Sequence, residues 1–166
     1  MKVIVGSAVK GFALKSAVKA HLEEQGHEAI DVGCYGTDRF VKYTSIGQRV
    51  AEALTQGQAP LAVNICGSGT GAALAAGKFR GVCAVSCESV ATARLIRVVN
   101  DANCLCLGED VVAPALACDM VDAFLAARFR DAPGVCEAIL AFWAEARDEM
   151  LARGEPASPR EIECLE

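Results

Sequence analysis

The chain has 166 residues, enough for one domain with a core of ordinary size and no need of disulfide or metal staples. Hydrophobic residues make up 53% of it and charged residues 22%, the balance of a folded globule and not of a disordered segment. A formal net charge of −5 argues against nucleic acid or an anionic membrane as main partner, since no basic surplus exists to neutralise a row of phosphates.

The opening run Met1-Lys2-Val3-Ile4-Val5-Gly6 is too short for a signal peptide, and no later stretch is apolar for the length of a membrane span, so a cytoplasmic protein is expected. Residues 2–6 form the first predicted strand, followed by a helix over 12–25 in which Leu14, Val18 and Leu22 recur every four positions. Gly26 ends that helix. A strand over 28–32 leads through a loop containing Gly36 and Asp38 to a helix over 45–56. The third strand, 61–66, runs directly into a glycine-rich loop and a helix over 72–78. Strands over 82–86 and 103–107 flank a helix over 89–98, and helices over 112–127 and 135–153 follow. Short β-branched runs alternating with helical periods are the pattern of βαβ units. The expectation is an α/β Rossmann-like three-layer sandwich around a five-stranded parallel sheet, one domain over 1–153. Residues 154–166 show no hydrophobic pattern and read as a flexible tail or a docking arm.

Nine cysteines are present, at positions 34, 66, 83, 87, 104, 106, 118, 136 and 164, mostly within apolar runs where thiols serve as small buried hydrophobes in a reducing compartment. Cys83 and Cys87, or Cys104 and Cys106, lack the CxxC spacing of a zinc site, and His21 and His27 lie far away in sequence. No zinc site is expected.

Cys66 differs from the others. In an open parallel sheet ligands gather at the carboxyl ends of strands, and there the chain reads Cys66-Gly67-Ser68-Gly69-Thr70-Gly71. Three alternate glycines let backbone N–H groups approach an anion closely. The loop is neither a Walker motif, lacking GKS/T, nor a dinucleotide fingerprint, lacking GxGxxG after the first strand. A cysteine against a helix start is where a thiolate would be favoured. Ser68 and Thr70 either orient a hydroxyl of a ligand or cap the helix.

The run from Ile65 to Gly71, the segment Ala75-Ala76-Gly77-Lys78-Phe79-Arg80-Gly81-Val82-Cys83-Ala84, the motif Asn100-Asp101-Ala102-Asn103 and the pair Leu107-Gly108 resemble the type B ribose-5-phosphate isomerase and galactose-6-phosphate isomerase family over residues 2 to 130. The resemblance implies a cofactor-free isomerase that interconverts aldose and ketose phosphates through a cis-enediolate, in a homodimer or dimer of dimers with sites at the subunit interface. By that similarity Cys66 shuttles the proton between C1 and C2 with Ser68 beside it, while Gly67, Gly69, Thr70 and Gly71 hold the enediolate oxygen and Asn100 binds substrate. Tyr43 aligns near a family tyrosine. The partner is then a small sugar phosphate.

Family positions are also changed. The Asp-His pair before the first helix falls on Ala8 and Val9, the ring-opening histidine on Val99, and the phosphate-binding arginines in Asp131-Ala132-Pro133-Gly134-Val135-Cys136-Glu137, which holds no arginine. The substrate implied is a pentose phosphate such as ribose 5-phosphate or ribulose 5-phosphate, or a shorter open-chain tetrose phosphate, which needs no ring opening and fits these losses. Lys10, Arg39, Lys42, Arg94 and Arg97 are the candidate cations for its phosphate, Lys10 foremost because it follows strand one at the sheet end of Cys66. The rival expectations are a weakened partner subunit or sugar-phosphate sensor, and a flavodoxin-like or nucleotide-binding module sharing the fold alone.

Overall fold

The computed structural model of the chain describes residues 1–156. Five strands, β1 (Lys2–Ser7), β2 (Glu28–Asp31), β3 (Ala62–Cys66), β4 (Ala84–Ser86) and β5 (Cys104–Gly108), form one parallel sheet in the order β2-β1-β3-β5-β4. Six α-helices accompany them: α1 (Phe12–Glu24), α2 (Tyr43–Thr55), α3 (Thr70–Ala76), α4 (Val90–Asn100), α5 (Pro114–Ala126) and α6 (Glu137–Ala152). This is the expected three-layer α/β sandwich.

Alternation along the strands sorts the two cores. Val3, Val5, Val63, Ile65, Leu105 and Leu107 face one layer, where Leu14, Val18 and Leu22 of α1 meet Ile96 of α4 and Met120 and Phe124 of α5. Ile4, Ala62, Cys66, Cys104 and Cys106 face the other, covered by Ile46 and Val50 of α2 and Ala72 and Ala76 of α3. Small residues bring α2 and α3 together, and a Cβ on Gly47 would stand 2.6 Å from that of Ala75. Among the described residues the one charged side chain in the interior is Lys15, only 2% exposed. Its Nζ donates to Asp31 Oδ1 at 2.7 Å, Asp31 Oδ2 at 2.9 Å and the Cys34 carbonyl at 2.5 Å. A buried ammonium is tolerable only when paired and hydrogen-bonded in this way.

Three differences from the expected elements have local causes. A 3₁₀ turn, Val9–Gly11, precedes α1 and is too short for any periodicity to announce it. Helix α3 starts at Thr70, two residues before the expected 72, because Gly69 adopts φ 81 and starts the turn itself. The expected tail begins with an ordered bridge: the Arg80 N–H donates to the Glu155 carbonyl at 2.8 Å, and the Glu155 N–H to the Lys78 carbonyl at 3.0 Å. Residues 157–166, the rest of that segment, lie outside the described residues. Among the described residues no helix is long and apolar enough to cross a membrane.

Candidate active site

Strand β1 sends its chain to one face of the sheet through α1, and its neighbour β3 sends its own to the opposite face through α3. The loops leaving two adjacent strands therefore diverge, which opens a crevice at their carboxyl ends. A cavity of about 490 Å³ occupies this place, a size suited to a small molecule. Cys66, Gly67, Ser68, Thr70 and Gly71 form its floor. Ala8, Val9 and Lys10 make one wall, and Phe40, Val41, Tyr43 and Leu74 the other.

The floor is held from both sides. Cys66 is 7% exposed, and the Gly69 N–H donates to its Sγ at 3.1 Å. That geometry needs glycine twice over, because φ at residue 69 is 81 and a Cβ there would lie 2.6 Å from Ser86 Oγ. Strand β5 clamps the loop from beneath: the Glu109 N–H donates to the Cys66 carbonyl and the Asp110 N–H to the Gly67 carbonyl, both at 2.9 Å. Gly108 permits the approach, since a Cβ there would stand 2.5 Å from the Ser68 carbonyl carbon. The amides of the loop are thus fixed before any ligand arrives.

Ser68 and Thr70 do not cap α3; the cap residue is Gly69, and no side chain bonds the first turn. Their hydroxyls instead lie 2.7 Å from each other at the cavity floor. Tyr43, first residue of α2, lays its ring against Gly71, where a Cβ would come within 3.4 Å of Cδ2. Lys10 reaches the cavity as expected, but its Nζ pairs with Asp110 Oδ1 at 2.9 Å. The hydrogen bond to Asp110 raises its pKa above the usual lysine value.

Asn100 is not brought to this cavity. It closes α4, which leaves β4 at the carboxyl edge and returns to the start of β5, so it sits at the opposite edge of the sheet from Cys66. The length of β3 alone separates the two edges by roughly 13 Å. Arg97 lies at that far edge too, bonded to Asp101 Oδ1 at 2.5 Å and the Ala102 carbonyl at 2.9 Å. Arg39 lines a separate depression with Asp38 and Arg49, Arg94 is exposed on α4, and Lys42 is the cap residue of α2. Sequence reasoning missed Asp110, although its place just after the fifth strand, at the carboxyl edge, marks it as a neighbour of any ligand there.

Burial pushes Cys87 up to about 11, and contact with Cys104 together with burial holds Cys106 well above the ordinary value. Among the described residues no three His, Cys, Asp or Glu side chains gather as a metal site.

A thiol on a rigid amide-lined loop at the switch point of a parallel sheet defines a small-molecule enzyme of the α/β class. Residues 3–136 match the Ribose/Galactose Isomerase family, and the chain belongs to it. It is 38% identical over 131 residues to the 4-deoxy-4-sulfo-D-erythrose isomerase of Clostridium sp. (strain MSTE9), covering 79% of this chain and 82% of that one. Identity is 40% over 128 residues to ribose-5-phosphate isomerase B of Escherichia coli, covering 77% and 85%. It is 35% over 131 residues to D-erythrulose-4-phosphate isomerase 2 of Mycolicibacterium smegmatis, covering 78% and 86%. The solved ribose-5-phosphate isomerase B of Clostridium thermocellum superposes with a TM-score of 0.80 at 36% identity, covering 90% of this chain and 97% of that one. The chain is accordingly an aldose–ketose isomerase of the sugar-phosphate class.

Proposed function

We propose that this enzyme isomerises a four-carbon, open-chain sugar carrying a terminal anion, with Cys66 as acid and base and no metal or cofactor. The cysteine carries the reading: Cys66 lines the cavity, and its sulfur accepts an N–H from the loop that would also hold the substrate oxygen. With the aldose bound, the Cys66 thiolate takes the proton from C2. The C–H electron pair becomes the C1–C2 double bond, and the carbonyl oxygen on C1 takes the negative charge. Amides of residues 67–71 meet that charge as it develops. The Ser68 and Thr70 hydroxyls pass the O2 proton to O1, and the thiol returns its proton to C1, leaving a ketone at C2.

Val99, where the family has its ring-opening histidine, favours a substrate that never closes a ring, and Ala8 and Val9 put no acid or imidazole on the cavity wall to take its place. A tetrose phosphorylated on O4 meets that condition, since O4 is unavailable for a furanose. Two relatives, named for D-erythrulose 4-phosphate and 4-deoxy-4-sulfo-D-erythrose, support the four-carbon length. Asn100 serves the site from a second copy of the chain in a homodimer or dimer of dimers, a reading supported by its distance from Cys66 in its own subunit. The free thiols suit a reducing compartment such as the cytoplasm.

The decisive experiment follows solvent deuterium into C1 and C2 of aldose and ketose phosphates of four to six carbons. Wild type is expected to exchange and turn over tetroses best, and Cys66→Ala to lose at least about a hundredfold in kcat. Exchange with none of them would leave a binding subunit instead.

A further inference from the structure

One ion pair guards the cavity, and we infer from it that the substrate's far end carries a single negative charge, with Asp110 as the residue that sets this preference. The inference rests on the isomerase reading above. Among the described residues Lys10 is the only charged side chain lining the cavity, and its Nζ stands 2.9 Å from Asp110 Oδ1. The two side chains straddle Gly67, where a Cβ would lie 3.2 Å from Lys10 Cγ and 3.3 Å from Asp110 Oδ2. Asp110 is held there by its own backbone, whose N–H donates to the Gly67 carbonyl. An anion reaching Lys10 from the glycine loop therefore meets a cation already shared with a carboxylate.

Charge number decides which anion tolerates this. Attraction to Lys10 grows in proportion to the charge of the end group, whereas the cost of stripping its water grows with the square. On the facing wall only the Tyr43 hydroxyl can hydrogen-bond, and Phe40, Val41 and Leu74 supply nothing to replace that water. A phosphate ester carries about −1.5 to −2 at pH 7, so a lysine shared with Asp110 offsets a smaller share of its desolvation than of a monoanion's. A sulfonate, with one charge, asks a quarter of the desolvation of a dianion and half of the attraction.

Steady-state kinetics with 4-deoxy-4-sulfo-D-erythrose and D-erythrose 4-phosphate, on wild type, Asp110→Asn, Lys10→Met and Cys66→Ala, test this. Wild type is expected to show the higher kcat/KM with the sulfonate. Asp110→Asn removes a repulsion that a dianion feels twice over, so the ratio should move toward the phosphate by about three- to fivefold, the scale of an exposed charge pair. Lys10→Met should weaken both sugars, the phosphate more. A wild-type preference for the phosphate, or an Asp110→Asn effect equal on both sugars, overturns the inference while Cys66-dependent turnover leaves the isomerase standing. Turnover of neither sugar, or turnover indifferent to Cys66→Ala, overturns the isomerase reading and this inference with it.

Discussion

Cys66 sits at the end of a buried strand and is 7% exposed, yet it lines the cavity together with the glycine loop beyond it. Its buried neighbours Cys87, Cys104 and Cys106 have no such cavity contact. Brief treatment of the folded protein with iodoacetamide at pH 8 should label Cys66 and the exposed Cys136, and reach Cys104 and Cys106 only after unfolding; peptide mass spectrometry reads the difference. Gly69→Ala should cost roughly 1–3 kcal/mol in stability through its positive φ and the close Ser86 Oγ, and lower kcat as well by displacing the N–H aimed at the sulfur. Denaturant titration beside a kinetic assay separates the two effects. Lys15→Met leaves Asp31 without its principal partner in a largely buried place and should cost about 3 kcal/mol by the same titration. The Cys66 loop was legible in the sequence because its signal is local: one thiol and three glycines within six residues. Asp110 was not, since nothing near residue 110 indicates that Lys10 lies across from it.

Helix α3 carries the Cys66 loop at its start and is only seven residues long, so α2 largely determines where it lies. Their contact runs through Gly47 and Ala75 without intervening side chains. Gly47→Ala should push α3 away from α2, costing about 1–3 kcal/mol by overpacking and reducing kcat more than it raises KM. Strand and helix types were readable from period alone, with apolar alternation for β1 and a four-residue repeat for α1. Boundaries were less so. Strand β4 is confined to Ala84–Ser86, where it pairs with β5, instead of the apolar run from 82, because a strand lasts only as long as its partner's ladder.

For the molecule as a whole, the raised thiols predict how stability responds to alkali. A thiol held protonated in the fold but free to ionise near 9.0 when unfolded favours the native state below that pH, and the contribution fades as pH rises through about 11 for Cys87. Cys83, Cys106 and Cys118 act with the same sign. Thermal melts from pH 8 to 11 should therefore show a falling Tm. If Asn100 works across an interface, mixing inactive Cys66→Ala and Asn100→Ala chains after mild dissociation should restore activity, because one site of each mixed dimer then has both residues intact. Rate recovery against mixing ratio measures it.

The order of strands and helices, the two-faced cores and the place of Cys66 at the head of a glycine loop were determined by the sequence alone. Each depends on spacing over a few residues, through the periods of strand and helix and the freedom of glycine. The tertiary structure alone decided that Lys10 meets Asp110, that Tyr43 leans on Gly71 and that Asn100 ends at the far edge of the sheet. Those placements follow from the order β2-β1-β3-β5-β4, which joins residues as much as a hundred positions apart and leaves no periodic trace in the chain.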